Sequence, residues 1–186
     1  RPAVSNLHCL KYKMNSKIMT ASDTGSTDAP SVRHRILFIC LGNICRSVTA
    51  EEIFRTMVVR AGRTDEFSVD SAGLIDYHEG ELADARMRRH AAAHGYELTH
   101  RSRPVTQSDF YRFDLVVAMD EDNVRRLRRL APDDATAGRI VRMTDYLRHH
   151  KGQACIPDPY YGGEADFELV IELLEDACGG LLEALS

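Results

Sequence analysis

Ile36-Leu37-Phe38-Ile39-Cys40-Leu41-Gly42-Asn43-Ile44-Cys45-Arg46-Ser47-Val48-Thr49-Ala50-Glu51 changes its hydrophobic period partway along. Ile36 to Ile39 are apolar and rich in β-branched and aromatic side chains, the signature of a short buried strand. From Ser47 onward, Ile53, Phe54, Met57 and Val58 recur at helical spacing. The intervening segment is therefore a strand-to-helix loop, with Cys40 at its start and Arg46 at its end. Such a loop aims backbone N–H groups at one spot, and the helix dipole adds positive potential there, so an anion is favoured. A thiol placed in that field is favoured as its thiolate, which makes Cys40 a candidate nucleophile.

The wider chain extends the pattern. Phe67 to Asp70 reads as a second strand with Ser71-Ala72-Gly73 as its exit turn, and Asp84 to His94 as a helix ended by Gly95. Leu115 to Met119 is a continuous apolar run, followed by a helix over Asp120 to Leu130. Arg139 to Met143 suggests a fourth strand and Thr144 to His150 a short helix. The last helix, Phe167 to Leu185, carries one wide apolar face and is interrupted by Gly179-Gly180. Strands this apolar, alternating with helices, make an α/β fold: a four-stranded parallel sheet covered by helices on both faces. Ligands of such sheets bind at the carboxyl ends of strands, which places Cys40, Ser71, Asp120 and the loop around Asp158 on one rim.

Cys40-Leu41-Gly42-Asn43-Ile44-Cys45-Arg46-Ser47 resembles the phosphate-binding loop of low-molecular-weight protein tyrosine phosphatases. The resemblance extends through Asp70-Ser71-Ala72-Gly73, Ala118-Met119-Asp120 and Asp158-Pro159-Tyr160-Tyr161, and covers about residues 34 to 185. Val48 stands where the family usually has proline, a change expected to affect the first helical turn slightly and the chemistry not at all. The resemblance implies phosphotyrosine hydrolysis without metal or cofactor, on phosphotyrosine-containing proteins or peptides, with inhibition by phosphate-like oxyanions. It also implies a cytoplasmic monomer or weak dimer.

Residue roles follow from the match. Arg46 carries a planar fork suited to two oxygens of a phosphoryl group, and Leu41, Gly42, Asn43, Ile44 and Cys45 supply the loop around it. Asp158 is the candidate general acid, in an exposed loop bounded by Pro157, Gly162 and Gly163. Ser71 and His100 are implied supports of Asn43, one of the few non-glycine residues that tolerate positive φ. Ser47 is implied to hydrogen-bond the Cys40 sulfur, although a plain helix cap would account for it too. Tyr77, Tyr160 and Tyr161 are implied walls of the substrate cleft, stacking on a phenyl ring. For Cys45 two readings stand: a reversible disulfide with Cys40, implied by the resemblance, or simple loop packing.

Composition limits the alternatives. A chain of 186 residues, 44% hydrophobic, supports one domain with a real core, and a net charge of −4 gives no field for nucleic acid. Five cysteines without a regular framework point to free thiols in a reducing compartment. Cys40 and Cys45 with distant His149, His150 and Cys155 lack the spacing of a zinc site, and the loop has no Gly-Lys-Ser/Thr ending of a nucleotide-binding P-loop. Arg125, Arg126, Arg128 and Arg129 read as a solvated basic stripe able to guide an acidic peptide. Residues 1 to 32 are too polar to bury a core and read as a disordered extension or leader, with the catalytic domain at 33–186 and no membrane-length apolar stretch. Three other functions remain open. Arsenate reduction on this fold needs further cysteines, and Arg112 to Met119 contains none. Arginine phosphatases carry Thr where Ile44 stands, and a silent phosphopeptide-binding module would not need Cys40, Arg46 and Asp158 together.

Overall fold

The computed structural model describes residues 32–186, so the expectation for residues 1 to 32 falls almost wholly outside the described residues. Four strands, β1 (His34–Cys40), β2 (Phe67–Gly73), β3 (Leu115–Ala118) and β4 (Ile140–Arg142), form one sheet in the order β2-β1-β3-β4. Every adjacent pair is parallel, with Ile36 opposite both Val69 and Leu115. Successive side chains of β1 point to opposite faces. Ile36 and Phe38 join one apolar cluster with Ile53 and Phe54 of α1 (Arg46–Arg60), Met87 of α2 (Ala85–Ala93) and Phe167 and Leu174 of α6 (Glu164–Ala184). Leu37 and Ile39 face Phe110 of α3 (Gln107–Arg112) and Val124 and Leu127 of α4 (Glu121–Leu130). Two buried faces explain why Ile36 to Cys40 of β1 and the whole of β3, the two central strands, contain no polar alternation.

The structure corrects three local expectations. Ser71-Ala72-Gly73 is not an exit turn but the last part of β2, paired with Phe38 to Cys40. Its small residues serve the neighbouring loop: a Cβ on Gly73 would lie 3.0 Å from the Leu41 carbonyl oxygen and 3.2 Å from the Asn43 Cβ. The helix expected over Thr144 to His150 is a single 3-10 turn, Met143–Tyr146. Gly179-Gly180 does not interrupt α6, which runs unbroken to Ala184. Gly180 is where that turn presses on the helix, because a Cβ there would overlap the Tyr146 carbonyl oxygen, while a Cβ on Gly179 would meet the Arg148 guanidinium. Helices α3 and α5 (Asp134–Ala137) were not expected from periodicity; each is too short for a helical repeat to show.

One buried charge fastens the segment after β4 to α6. Asp176 accepts from the backbone N–H groups of Arg148, His149 and His150 and contacts the His150 ring at 3.0 Å. Burial pushes this carboxyl up, but those hydrogen bonds win and hold it at about 2, below its ordinary 3.8. Stability from a depressed carboxyl is complete above the ordinary value and is lost as pH falls toward the folded one. Asp176→Asn is expected to cost about 2 kcal/mol at neutral pH. In urea titrations, the gap from the unsubstituted protein should close between pH 4 and pH 2. A gap independent of pH would sink the assignment.

Candidate active site

Residues 41–45 cross from the carboxyl end of β1 to the start of α1, and the amides of Gly42, Ile44 and Cys45 find no acceptor among the described residues. The amide of Asn43 points back at Cys40 Sγ, 3.3 Å away. Asn43 has φ +56 and is almost fully buried, a conformation that must be held from outside. Four partners hold it. Its Nδ2 donates to Ser47 Oγ and Ser71 Oγ, both at 2.9 Å, and its Oδ1 accepts from His100 Nε2 and the Arg103 amide, both at 3.1 Å. That exhausts the two donors and two lone-pair directions of a carboxamide.

The proton directions in this network can be assigned in sequence. Ser71 donates its one proton to Glu51 Oε2 at 2.6 Å, so its oxygen accepts from Asn43. Ser47 likewise accepts from Asn43, which leaves its proton for Cys40 Sγ at 3.1 Å, the nearer of its two acceptors, with the Ala72 carbonyl at 3.5 Å. The support reaches further than Ser71 and His100. Glu51, one turn into α1 and only 3% exposed, also lies 3.3 Å from His100 Nδ1 and pairs with Arg55. In the sequence a glutamate at that point in a helix reads as a solvated position; only its neighbours Ile53 and Phe54 hint at a buried side.

Arg46 is 3% exposed and held on three sides. Its Nη1 donates to Asp120 Oδ2 at 2.6 Å and to the Ile156 carbonyl at 3.2 Å, and its Nη2 donates to Asp158 Oδ2 at 2.8 Å. Burial alone would lower this guanidinium, but the surrounding Cys40, Asp158 and Asp120 raise it above the ordinary arginine value. Asp120 is the N-cap of α4, accepting the Asn123 amide with its other oxygen at 2.7 Å. Its sequence position put it on the rim; its grip on Arg46 was not legible there.

The tyrosines stand apart from this buried centre. Tyr77 and Tyr161 are largely exposed, and Tyr160 is at the margin of exposure. His78, unremarked in the sequence, lies between them: its ring meets Tyr77 at 4.9 Å and Tyr160 at 6.4 Å, and it sits over Gly42. Cys45 is buried, and burial, then the charges of Asp84 and Cys40, push its thiol well up, so it remains protonated. Cys40, Cys45, Cys155 and Cys178 are free thiols.

A thiol and a buried guanidinium thus stand at the two ends of a loop with three amides free among the described residues, on the carboxyl edge of a parallel sheet, an arrangement chemically suited to an anion. The family model for low molecular weight phosphotyrosine protein phosphatases matches residues 35–186, and the chain belongs to that family of phosphatases. A low molecular weight protein-tyrosine-phosphatase of Streptomyces coelicolor is 46% identical over 153 residues, 82% of this chain and 93% of the relative. The human low molecular weight phosphotyrosine protein phosphatase is 37% identical over 148 residues, 80% of this chain and 93% of its own. The crystal structure of a protein tyrosine phosphatase from Entamoeba histolytica superposes with a TM-score of 0.79 at 43% identity, covering 82% of this chain and 96% of that one. No helix among the described residues is long and apolar enough to cross a membrane.

Proposed function

We propose that this protein hydrolyses phosphotyrosine in proteins or peptides through a cysteinyl-phosphate intermediate. The observation that carries the reading is the pairing of Arg46 with Asp158 next to a Cys40 sulfur facing the Ser47 hydroxyl and the Asn43 amide. A phosphoryl group seated on Arg46 and the free loop amides takes the place of Asp158 at Nη2, which frees the carboxyl to turn toward the leaving oxygen. The Cys40 thiolate attacks phosphorus, the P–O bond to the phenol breaks, and protonated Asp158 gives its proton to the departing oxygen. Water then attacks the phosphocysteine as Asp158 takes up its proton, the S–P bond breaks, and inorganic phosphate leaves. The Ser47 hydroxyl stabilises the departing sulfur anion. Arg46 and the amides follow the equatorial oxygens through both transition states.

Tyr77, Tyr160 and Tyr161 form the cleft for the phenyl ring, with His78 between the first two. Phosphate-like oxyanions compete for the same loop. Ile44 in the phosphate loop favours phosphotyrosine over phosphoarginine, and the lack of a cysteine in Arg112 to Met119 argues against arsenate reduction. The free cysteines among the described residues fit a reducing cytoplasm. Under oxidation Cys45 is the partner for Cys40, five residues away in the same loop, so that a disulfide protects the nucleophile from further oxidation.

Asp158→Ala tests the acid. The value of kcat/KM should fall about 100-fold or more for phenyl phosphate, whose leaving group needs the proton, and much less for para-nitrophenyl phosphate. Equal losses on both substrates would remove Asp158 from the role.

A further inference from the structure

Residues 157–161 carry Asp158, yet they are tied to the rest of the protein by few hydrogen bonds. Two link them to other segments among the described residues: Arg46 to the Asp158 carboxylate, and Arg86 Nη2 to the Tyr160 carbonyl at 2.9 Å. The remaining bonds are local, from the Tyr160 amide to Asp158 Oδ1 at 3.2 Å and from the Gly162 amide to the Pro159 carbonyl. The first tie cannot persist through turnover, because the incoming phosphoryl group takes its place on Arg46. Arg86 then supplies the remaining hydrogen bond to another segment among the described residues.

Arg86 is itself well fixed. Its Nε and Nη2 grip the two oxygens of Asp84 at 3.1 and 2.8 Å, and the guanidinium lies over the rings of Phe167 at 4.9 Å and Tyr160 at 5.6 Å. Asp84 caps α2 through the Arg86 amide, and its own amide donates to the Ile44 carbonyl of the phosphate loop at 2.8 Å. A continuous chain of contacts thus runs from the phosphate loop through Asp84 and Arg86 to the carbonyl two residues beyond Asp158. A helix cap needs only the Asp84 oxygen; it does not need a fork reaching a residue 74 positions away.

We infer that Arg86 is a positioning residue, which holds the loop of Asp158 in register with the phosphate loop while the carboxyl transfers its proton. The inference rests on the general-acid reading of Asp158. A loosened acid misplaced by a fraction of an ångström loses transfer efficiency without losing phosphate binding.

The test compares Arg86→Met and Arg86→Lys across aryl phosphates of increasingly poor leaving groups. For Arg86→Met, kcat/KM should fall about 10-fold or more on phenyl phosphate and less than about 3-fold on para-nitrophenyl phosphate, with inhibition by inorganic phosphate unchanged. Lysine keeps the charge but cannot hold Asp84 and the Tyr160 carbonyl together, so Arg86→Lys should resemble Met. It also carries the test if Arg86→Met does not fold. In an Asp158→Ala background either substitution should add no further loss. Equal losses on both substrates, a loss that persists without Asp158, or a fully active Arg86→Lys would each overturn the inference. If Asp158→Ala itself fails to discriminate between leaving groups, the acid reading falls and this inference with it. A discriminating Asp158→Ala beside a flat Arg86→Lys overturns this inference alone.

Discussion

Cys40→Ser is expected to lower turnover of para-nitrophenyl phosphate by ~10^4-fold or more, with EDTA present throughout. Serine keeps the shape but puts a far weaker oxygen nucleophile in place of the sulfur that faces the Asn43 amide and the Ser47 hydroxyl. The amides of Gly42, Ile44 and Cys45 and the Arg46 fork are untouched, so inorganic phosphate should still bind, as calorimetry can show. Turnover within tenfold of the unsubstituted protein would mean that Cys40 is not the nucleophile. Loss of phosphate binding along with turnover would mean that the thiolate is needed to shape the loop.

Arg46→Lys is expected to cost about 10^3-fold in kcat/KM, because one ammonium replaces a fork that matches two phosphoryl oxygens. A second effect follows from the resting contacts. Arg46 bridges Asp120 and Asp158 while donating to the Ile156 carbonyl, and a lysine cannot reach all three in that geometry. Because Asp158 is largely exposed and Asp120 only partly buried, losing this fork should destabilise the fold by only about 1 kcal/mol, measurable by urea denaturation at neutral pH. A lysine variant with activity within tenfold would show that positive charge alone, without the fork, serves the site.

The parallel sheet was legible because its central strands, β1 and β3, are apolar on both faces, and the loop was legible because Cys40 and Arg46 bracket a change of hydrophobic period. The supports of Asn43 at Ser71 and His100 were named from a family pattern and stand at hydrogen-bond distance. What stayed hidden depends on contacts between distant segments. Glu51, Asp120 and Arg86 look like ordinary helix residues until the fold brings Ser71, Arg46 and Tyr160 to them. The end of β2 is hidden for a related reason. Ser71-Ala72-Gly73 has turn-like composition, but its small side chains answer to the loop packed against them and not to local backbone preference.

Gly179-Gly180 has a consequence for anyone seeking a hardier version of this protein. Replacing glycine by alanine inside a helix ordinarily gains about 1 kcal/mol, and a long terminal helix is the obvious place to apply the rule. Here the added methyl of Gly180→Ala would strike a main-chain oxygen that cannot rotate away, and the turn before Leu147 would have to lift off the helix. The rule therefore reverses sign at this site: a poor helix former is the residue that lets the last helix close the core.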